Sequence, residues 1–486
     1  MGTVNPLLIR LLCVLVVGVA LAGSPEASED AGADELMNGF EEIEGASPTE
    51  TNNELDDSLD YFEESFAAAD GSGIQASASP YDIDGYAKLG TAFNFAHPAP
   101  PAGETDWREF SKLKAELYLE FNARIHASWR ARISGKGSHD FIYSLRERDA
   151  FTDDVIDAYE NELALAETYI EGSLFSCLDL KMGRQIVVWG KSDNIRITDV
   201  LNPLDLREPG LTDIEDLRLP VTMTRLDFYR GDWHLGAILI HEIRYNQNPQ
   251  FGSDFYPQRI PPPDEEDPEE GFYETETALS LGGIFSGWDI AFYYANILND
   301  AYHPERVAST YPILETRMKH ARLDFYGMAF NVALGNWLFK AEGAYLEGLQ
   351  FFNTDDETFS RMDVLAGLEY SGISDTTLSL ELANRHILDF DERLEEYPDD
   401  AIEDDVQTAF RLTRTFLNET LACTFLAMAY GASGEGGGVE RLSVDYDISD
   451  ALMLRVGVVW YETGDRSLFN QIQDNDRVFA ELKYSF

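Results

Sequence analysis

The sequence predicts an all-β fold, a transmembrane antiparallel β-barrel of about 18 strands with 16 as the alternative, preceded by a disordered acidic arm. Three observations carry this expectation. From Tyr81 onward, segments of about ten residues alternate apolar and polar side chains, the period of an extended strand. Short turns and long, often acidic connections then follow one another in alternation, as a barrel with turns at one end and loops at the other requires. Last, Arg477 to Phe486 places Val478, Ala480, Leu482, Tyr484 and Phe486 on one face and Arg477, Glu481, Lys483 and Ser485 on the other, with Phe479 the exception to a charged face.

Taken in order, the chain opens on an address. Arg10 precedes the apolar run Leu11 to Ala22, which closes on Ala20-Leu21-Ala22, so residues 1–22 are expected to be a signal peptide cleaved near Ala22. The run is short for a membrane-spanning helix. Cys13 lacks the small-residue box that should precede a lipidated cysteine. Cys177 and Cys423 remain after processing, and two cysteines so far apart are expected to be free thiols rather than a disulfide framework.

Residues 23–80 are expected to be a disordered periplasmic segment, because their Ala, Ser, Glu, Asp and Gly cannot bury enough apolar surface to offset chain entropy. No basic residue lies between Arg10 and Lys88, and residues 24–70 hold sixteen acids. Two aromatic islands, Leu36-Met-Asn-Gly-Phe40 and Leu59-Asp-Tyr-Phe62, mark this segment as a candidate docking site for a periplasmic partner. The formal charge of −52 excludes nucleic acid as a natural partner, since a phosphate polymer needs a basic footprint. In an open lumen, it predicts a weak preference for cations.

Residues 81–486 are expected to be the barrel. Ile83, Ala87, Leu89, Phe93 and Phe95 alternate with Asp82, Asp84, Lys88 and Asn94, and the strand from Leu113 to Phe121 alternates with Lys112, Lys114, Glu116, Tyr118 and Glu120. Short turns are expected near Asn122 and at Gly172-Ser173, Gly231-Asp232, Ser286-Gly287, Gly335-Asn336, Ser374-Asp375, Asn418-Glu419 and Ser449-Asp450. Eight hairpins plus one strand at each end give the strand count. Asn246 to Gly271, Asp300 to Thr316 and Asp391 to Asp405 read as long loops. An antiparallel soluble sheet could bury one face of such strands, but a charged inner face repeated along the chain fits a wet lumen. Phe228, Tyr229, Trp233, Trp288, Tyr293, Tyr294, Trp337, Tyr370, Trp460 and Tyr461 fall near strand ends, where rings favour the lipid headgroup level.

The polar face pairs opposite signs: Arg225 with Asp227, Arg322 with Asp324, Lys340 with Glu342, Glu381 with Arg385, Arg441 with Asp445, and Arg477 with Glu481 and Lys483. These residues and Arg455 are the expected lumen-facing charges. Such pairs stiffen a wall, and a minority would line a permeation path. One connection differs from the rest. Met182-Gly-Arg-Gln-Ile-Val-Val-Trp-Gly190 leads into Lys191-Ser-Asp-Asn-Ile-Arg-Ile-Thr-Asp-Val-Leu-Asn-Pro-Leu-Asp205. Its glycines, proline, Ser192, Asp193 and Asn194 favour a fixed shape. It reads either as a plug or rim element that maintains the barrel, or as a constriction with Trp189, Lys191, Asp193, Arg196 and Asp199 near its narrowest part, continuing through Asn202 and Asp205.

Two resemblances follow. A last strand ending on a bare aromatic looks like the assembly signal of bacterial outer-membrane barrels, which makes Leu482, Tyr484 and Phe486 the residues offered to the barrel-assembly machinery. The pattern Gly183-Arg-Gln…Trp189-Gly-x-Ser-Asp193…Asp199-Val-Leu-Asn202-Pro-x-Asp205, with Leu36-x-x-Gly-Phe40 ahead of the barrel, resembles the Gram-negative outer-membrane family labelled domain of unknown function 1302. That resemblance implies a porin-like barrel in contact with outer-membrane lipid and lipopolysaccharide. It also implies cargo that is lipid-like or otherwise hydrophobic, moved alongside large inner-membrane exporters. It brings no agreed functional residues.

The sequence predicts no enzyme, cofactor or metal site. Eight histidines are scattered without a His-x-x-x-His pair. His126, His241 or His386 beside Asp193 or Asp324 would need a nucleophile, and no Gly-x-Ser-x-Gly elbow provides one. Gly431 to Gly438 lacks the Lys-Ser/Thr of a phosphate cradle. The expected function is therefore a channel or transporter for small solutes or hydrophobic compounds. Its rival is an adhesive barrel whose acidic loops bind cations, lipopolysaccharide or a partner.

Overall fold

A computed structural model describes residues 80–486, apart from residues 102, 214–215, 257–258, 264, 266–274, 311–312 and 355–356. The signal peptide and the acidic arm with its aromatic islands lie outside the described residues. Twenty strands follow in chain order. The first ten are β1 (Tyr81–Asn94), β2 (Glu109–His126), β3 (Trp129–Asp140), β4 (Asn161–Phe175), β5 (Leu178–Gln185), β6 (Val221–Arg230), β7 (Trp233–Ile240), β8 (Glu276–Phe285), β9 (Trp288–Leu298) and β10 (His303–Thr310). The second ten are β11 (Ile313–Lys319), β12 (Arg322–Leu334), β13 (Trp337–Leu349), β14 (Phe359–Ile373), β15 (Thr376–Ile387), β16 (Asp404–Phe416), β17 (Leu421–Tyr430), β18 (Gly437–Ser449), β19 (Leu452–Glu462) and β20 (Arg477–Ser485).

Eighteen of these form one antiparallel sheet, and β10 with β11 form a separate hairpin in the loop between β9 and β12. The sheet closes on itself: β1 pairs with β2 on one edge and with β20 on the other. Phe486 completes that seam, since its N–H donates to Gly85 O and its carbonyl accepts from Gly85 N, both at 3.0 Å. Closure leaves no sheet edge for lipid to strip of hydrogen bonds along the seam. No described helix is long and apolar enough to cross a membrane.

Side chains alternate as a barrel demands. Ile83, Leu117, Leu119, Leu235, Leu281, Val364, Leu380, Val456, Val478, Leu482, Tyr484 and Phe486 are exposed on the outside, an apolar surface that only a bilayer would solvate. Rings gather near the tight-turn end: Trp233 meets Phe285 at 5.6 Å, Phe285 stacks on Trp288 at 4.3 Å, and Trp337 lies 4.3 Å from Tyr370. Tyr293 and Tyr461 depart from the expected girdle. They share the inward parity of Ala291 and Val459 and are used inside the barrel.

Two expected turns sit elsewhere. Asn122 is inside β2, where its side chain accepts from Arg132 Nε at 3.0 Å, and the chain turns at Ala127-Ser128. Gly172-Ser173 is inside β4, and the turn follows at Ser176-Cys177. Gly172 marks a close approach rather than a bend, because a Cβ there would meet Ser128 O at 2.4 Å and the Trp129 ring at 2.5 Å. The turn between β18 and β19 falls one residue later than expected, at Asp450-Ala451. The region from Asp149 to Asn161 supplies short helical turns, including Asp153–Val155 capped by the Thr152 hydroxyl, before β4 begins.

Candidate functional site

After Gln185 the chain leaves the wall and folds into the lumen, returning at Val221. Its underside is apolar: Val187, Trp189, Ile195, Ile197 and Leu201 pack against inward-facing wall residues from β6 to β16, among them Met223, Ile240, Phe325 and Leu365. Trp189 stacks on Tyr293 at 4.6 Å, and the Tyr293 hydroxyl accepts from Gly190 N at 3.2 Å.

Three polar residues of the motif knot the loop to its own stem. Asn202, with no exposed surface, accepts from Val187 N at 2.8 Å and donates to Leu219 O at 2.9 Å and Gln185 O at 3.3 Å. Asp199 accepts from Trp189 N at 3.3 Å, from Arg196 Nε at 3.1 Å and from Arg218 Nε at 2.8 Å. Gln185 donates to Met223 O at 3.2 Å.

Two wall glutamates hold the outer part of the loop by its backbone. Glu342 on β13 accepts from the N–H groups of Lys191 (2.5 Å), Ser192 (2.8 Å) and Thr198 (3.0 Å) and from the Thr198 hydroxyl (2.7 Å). Glu381 on β15 accepts from the N–H groups of Asp193 (2.7 Å), Asn194 (3.0 Å) and Ile195 (3.1 Å). Consecutive N–H groups converging on one carboxylate form an anion nest, and here the anion belongs to the barrel itself. The fit depends on Gly190, whose φ is +89°. A Cβ there would stand 2.6 Å from Thr198 Oγ1 and 2.8 Å from Glu342 Oε1. Lys340 Nζ reaches Asp193 Oδ2 at 2.5 Å, Lys191 Nζ reaches Asp289 Oδ1 at 2.8 Å, and Arg385 donates to Arg196 O at 2.9 Å.

Beside this plug lies a polar chamber of about 1740 Å³, bounded by β1 to β5, by β19 and β20, and by the later part of the loop from Asp205 to Pro220. Asp205 faces it, paired with Arg207 at 2.6 Å. Glu208 is clasped by Lys112. Burial pushes the Glu208 carboxyl up, but Lys112 and Lys114 outweigh it and hold it down at about 2. The lining carries eleven Lys or Arg and twelve Asp or Glu side chains, so the acidic excess of the chain lies elsewhere and does not set the sign of the chamber. A strap from Asn246 to Tyr256 crosses the loop end above it. Asp254 bonds Arg477 at 2.9 Å, and Phe255 is buried among Tyr461, Phe469 and Phe479.

The expected wall charges separate into groups. Lys340, Glu342, Glu381 and Arg385 grip the plug. Arg225 pairs with Asp227 at 2.8 Å, Arg455 with Asp445 at 2.7 Å, and Arg441 with the loop residue Asp213 rather than with Asp445. Glu481 faces Lys88 at 3.9 Å, and Lys483 stands 4.6 Å over the Tyr86 ring. Arg322 and Asp324 are a correction: they lie on the outward parity of β12. Leu323 and Phe325 take the inward positions in the core, and Tyr326 and Met328 are exposed. Asp324 there accepts from the Tyr294 hydroxyl at 3.0 Å and from Asn296 at 2.9 Å. No local pattern marks the strap anchor at Asp254 and Arg477, since 223 positions separate its two members. Cys177 and Cys423 are free. Among the described residues, His386, Glu403 and Asp404 bring ligand atoms within 4.8 Å of one another at the loop end, an arrangement common among exposed acids without an ion.

A closed 18-strand sheet with an apolar outside and a loop packed into a charged inside defines a porin-like transmembrane barrel. The chain belongs to the family described as a protein of unknown function, DUF1302, whose model matches residues 110–486. No curated protein matches it. Among solved structures it is similar to Pseudomonas aeruginosa OpdK, crystallised with vanillate, at 11% identity and a TM-score of 0.49, covering 84% of this chain and 98% of that one. Acinetobacter baumannii OccAB1 is similar at 10% identity and a TM-score of 0.49, covering 85% and 99%. Vibrio cholerae OmpT, in its in-vitro folded trimer form, is similar at 9% identity and a TM-score of 0.38, covering 84% and 99%. At these values the likeness extends to neither substrate nor mechanism.

Proposed function

We propose that the protein is an outer-membrane channel or transporter of a Gram-negative cell, passing small solutes or lipid-like compounds through the chamber beside its plug. The supporting observation is that chamber: about 1740 Å³ of space lined by charges of both signs, reaching Met453 and Lys483 near the tight-turn end and Tyr256 and Tyr302 at the loop end. The tight turns face the periplasm and the long loops face outward, the arrangement bacterial barrels adopt. Export through the signal peptide of residues 1–22, delivery by the barrel-assembly machinery through Leu482, Tyr484 and Phe486, and a periplasmic partner held by residues 24–70 complete this reading. The surrounding lipid and lipopolysaccharide are its other partners.

Recordings in planar bilayers test it. Near balance of lining charge predicts steps whose reversal potential in a tenfold KCl gradient stays near zero, with neither ion strongly preferred. A strongly cation-selective current would contradict passage along this lining.

A further inference from the structure

Among the described residues, the barrel wall is incomplete between β4 and β5. β4 runs 15 residues, but β5 pairs only with its second half, from Thr168 opposite Arg184 to Phe175 opposite Leu178. The first half, Asn161 to Glu167, has β3 on one edge and, among the described residues, no strand on the other. The chain that should continue the ladder turns inward as the plug: Ile186 N bonds the Glu167 side chain at 3.2 Å in place of a strand partner. The next strand begins only at Val221, opposite Gln185. Lipid does not tolerate a bare strand edge, so this edge must open on polar space.

The chamber supplies that space and wraps around the edge. It is lined by inward-facing Glu162 and Ala164 and equally by Leu163 and Leu165, which have the outward parity and are 93% and 57% exposed. A cavity confined to the lumen would not touch outward residues. The frame of the gap is amphipathic, with leucines on the jamb and ion pairs at the base. Glu162 is met by Lys136 at 3.2 Å, Arg207 at 3.4 Å and Lys114 at 3.7 Å. Arg184 is met by Glu242 at 3.2 Å, and Arg244 donates to Pro220 O at 2.9 Å. Those five cations frame the gap with Glu162, Glu167, Glu242 and Asp205, while Glu116 and Glu208 stand deeper in the chamber beside Lys114.

We propose that the gap between β4 and β5 is a lateral port through which an anionic amphiphile moves between the surrounding leaflet and the chamber, its chain against Leu163 and Leu165 and its head among the cations. This deepens the passage reading above and rests on it for its purpose, but the port is a feature of the wall that can be tested without any transport.

The test uses the full chain in lipid nanodiscs with Cys177→Ser and Cys423→Ser, carrying one bimane label at a time: inward Ala164→Cys, outward Leu235→Cys, or chamber-lining Met453→Cys on the far wall. Heat-modifiable mobility establishes that each variant is folded. Brominated phosphatidylglycerol, anchored in the bilayer, is the quencher. The port predicts quenching at Ala164→Cys approaching that at Leu235→Cys and at least threefold above that at Met453→Cys. It also predicts at least twofold more quenching by the glycerol headgroup lipid than by brominated phosphatidylcholine. Quenching at Ala164→Cys no greater than at Met453→Cys would overturn the port, and equal quenching by the two lipids would overturn the anionic head. Failure of conductance in planar bilayers would sink the passage reading and leave these quenching results to decide the port alone.

Discussion

Glu342 and Glu381 each accept at least three N–H groups from the plug, so removing one carboxylate strands several buried donors at once. Breaking a buried charged contact of this kind costs ~3–5 kcal/mol, enough to release the loop locally. Glu381→Ala is therefore expected to expose Lys191 and Arg196 to trypsin, at least tenfold faster than in the parent barrel, as read by cleavage of folded protein. Gly190→Ala should act similarly, because its positive φ and the 2.6 Å approach to Thr198 Oγ1 add ~1–3 kcal/mol of strain. The pH dependence has a fixed sign at Glu208. Its carboxyl is held at about 2 in the folded barrel, below the usual ~4.3 of a free glutamate. Its stabilisation is full above about pH 4.3 and is lost as pH falls through about 2. Urea midpoints of the parent and Glu208→Gln should then differ at pH 7 and converge towards pH 2. Period-two alternation picked out Lys340, Glu342 and Glu381 as wall charges. Their partners were not legible, because they lie about 150 to 190 positions away: the Asp193 carboxylate for Lys340 and backbone N–H groups for the two glutamates.

Strand by strand, alternation and turn chemistry were enough to reach the observed number of barrel strands, since Gly231, Gly287 and Gly335 sit at turns with positive φ. They failed where a glycine served packing, as at Gly172, and where a strand began on the unexpected parity, as in β12. Arg322 and Asp324 are spaced as a lumen pair would be, but Leu323 and Phe325 have the stronger claim on the dry side of the lumen, and apolar burial decides the parity. Lengths were the least legible quantity. β5 and β7 have 8 residues against 18 in β2, and nothing local to β5 announces that the chain will dive inward at Ile186. At the other end of the sheet, the aromatic terminus of β20 both faces lipid and closes the seam against Gly85. Phe486→Ser is expected to lower the amount of heat-modifiable barrel in the membrane fraction severalfold, and normal levels would count against the role given to this strand.

As a whole, the molecule is a barrel divided lengthwise. One side is packed dry by the plug against β6 to β16, and the other remains a polar chamber against β1 to β5, β19 and β20. This division corrects what net charge suggests. A total of −52 suggests a weak cation preference, but the chamber lining carries eleven Lys or Arg against twelve Asp or Glu, so most of the acidic excess lies away from it. The strap across the loop end gives a further expectation. Asp254→Asn removes the partner of the buried Arg477 and should free the strap, increasing conductance and its fluctuation in bilayer recordings without changing the folded mobility of the barrel.

A loop held by two wall glutamates should set how much of the lumen is open. Single-channel conductance of the parent barrel beside the Glu342→Ala/Glu381→Ala double variant, both shown to be folded by heat-modifiable mobility, tests it most directly. Small, steady steps are expected for the parent, and steps at least twofold larger and noisier for the variant. Identical steps in the two would contradict it.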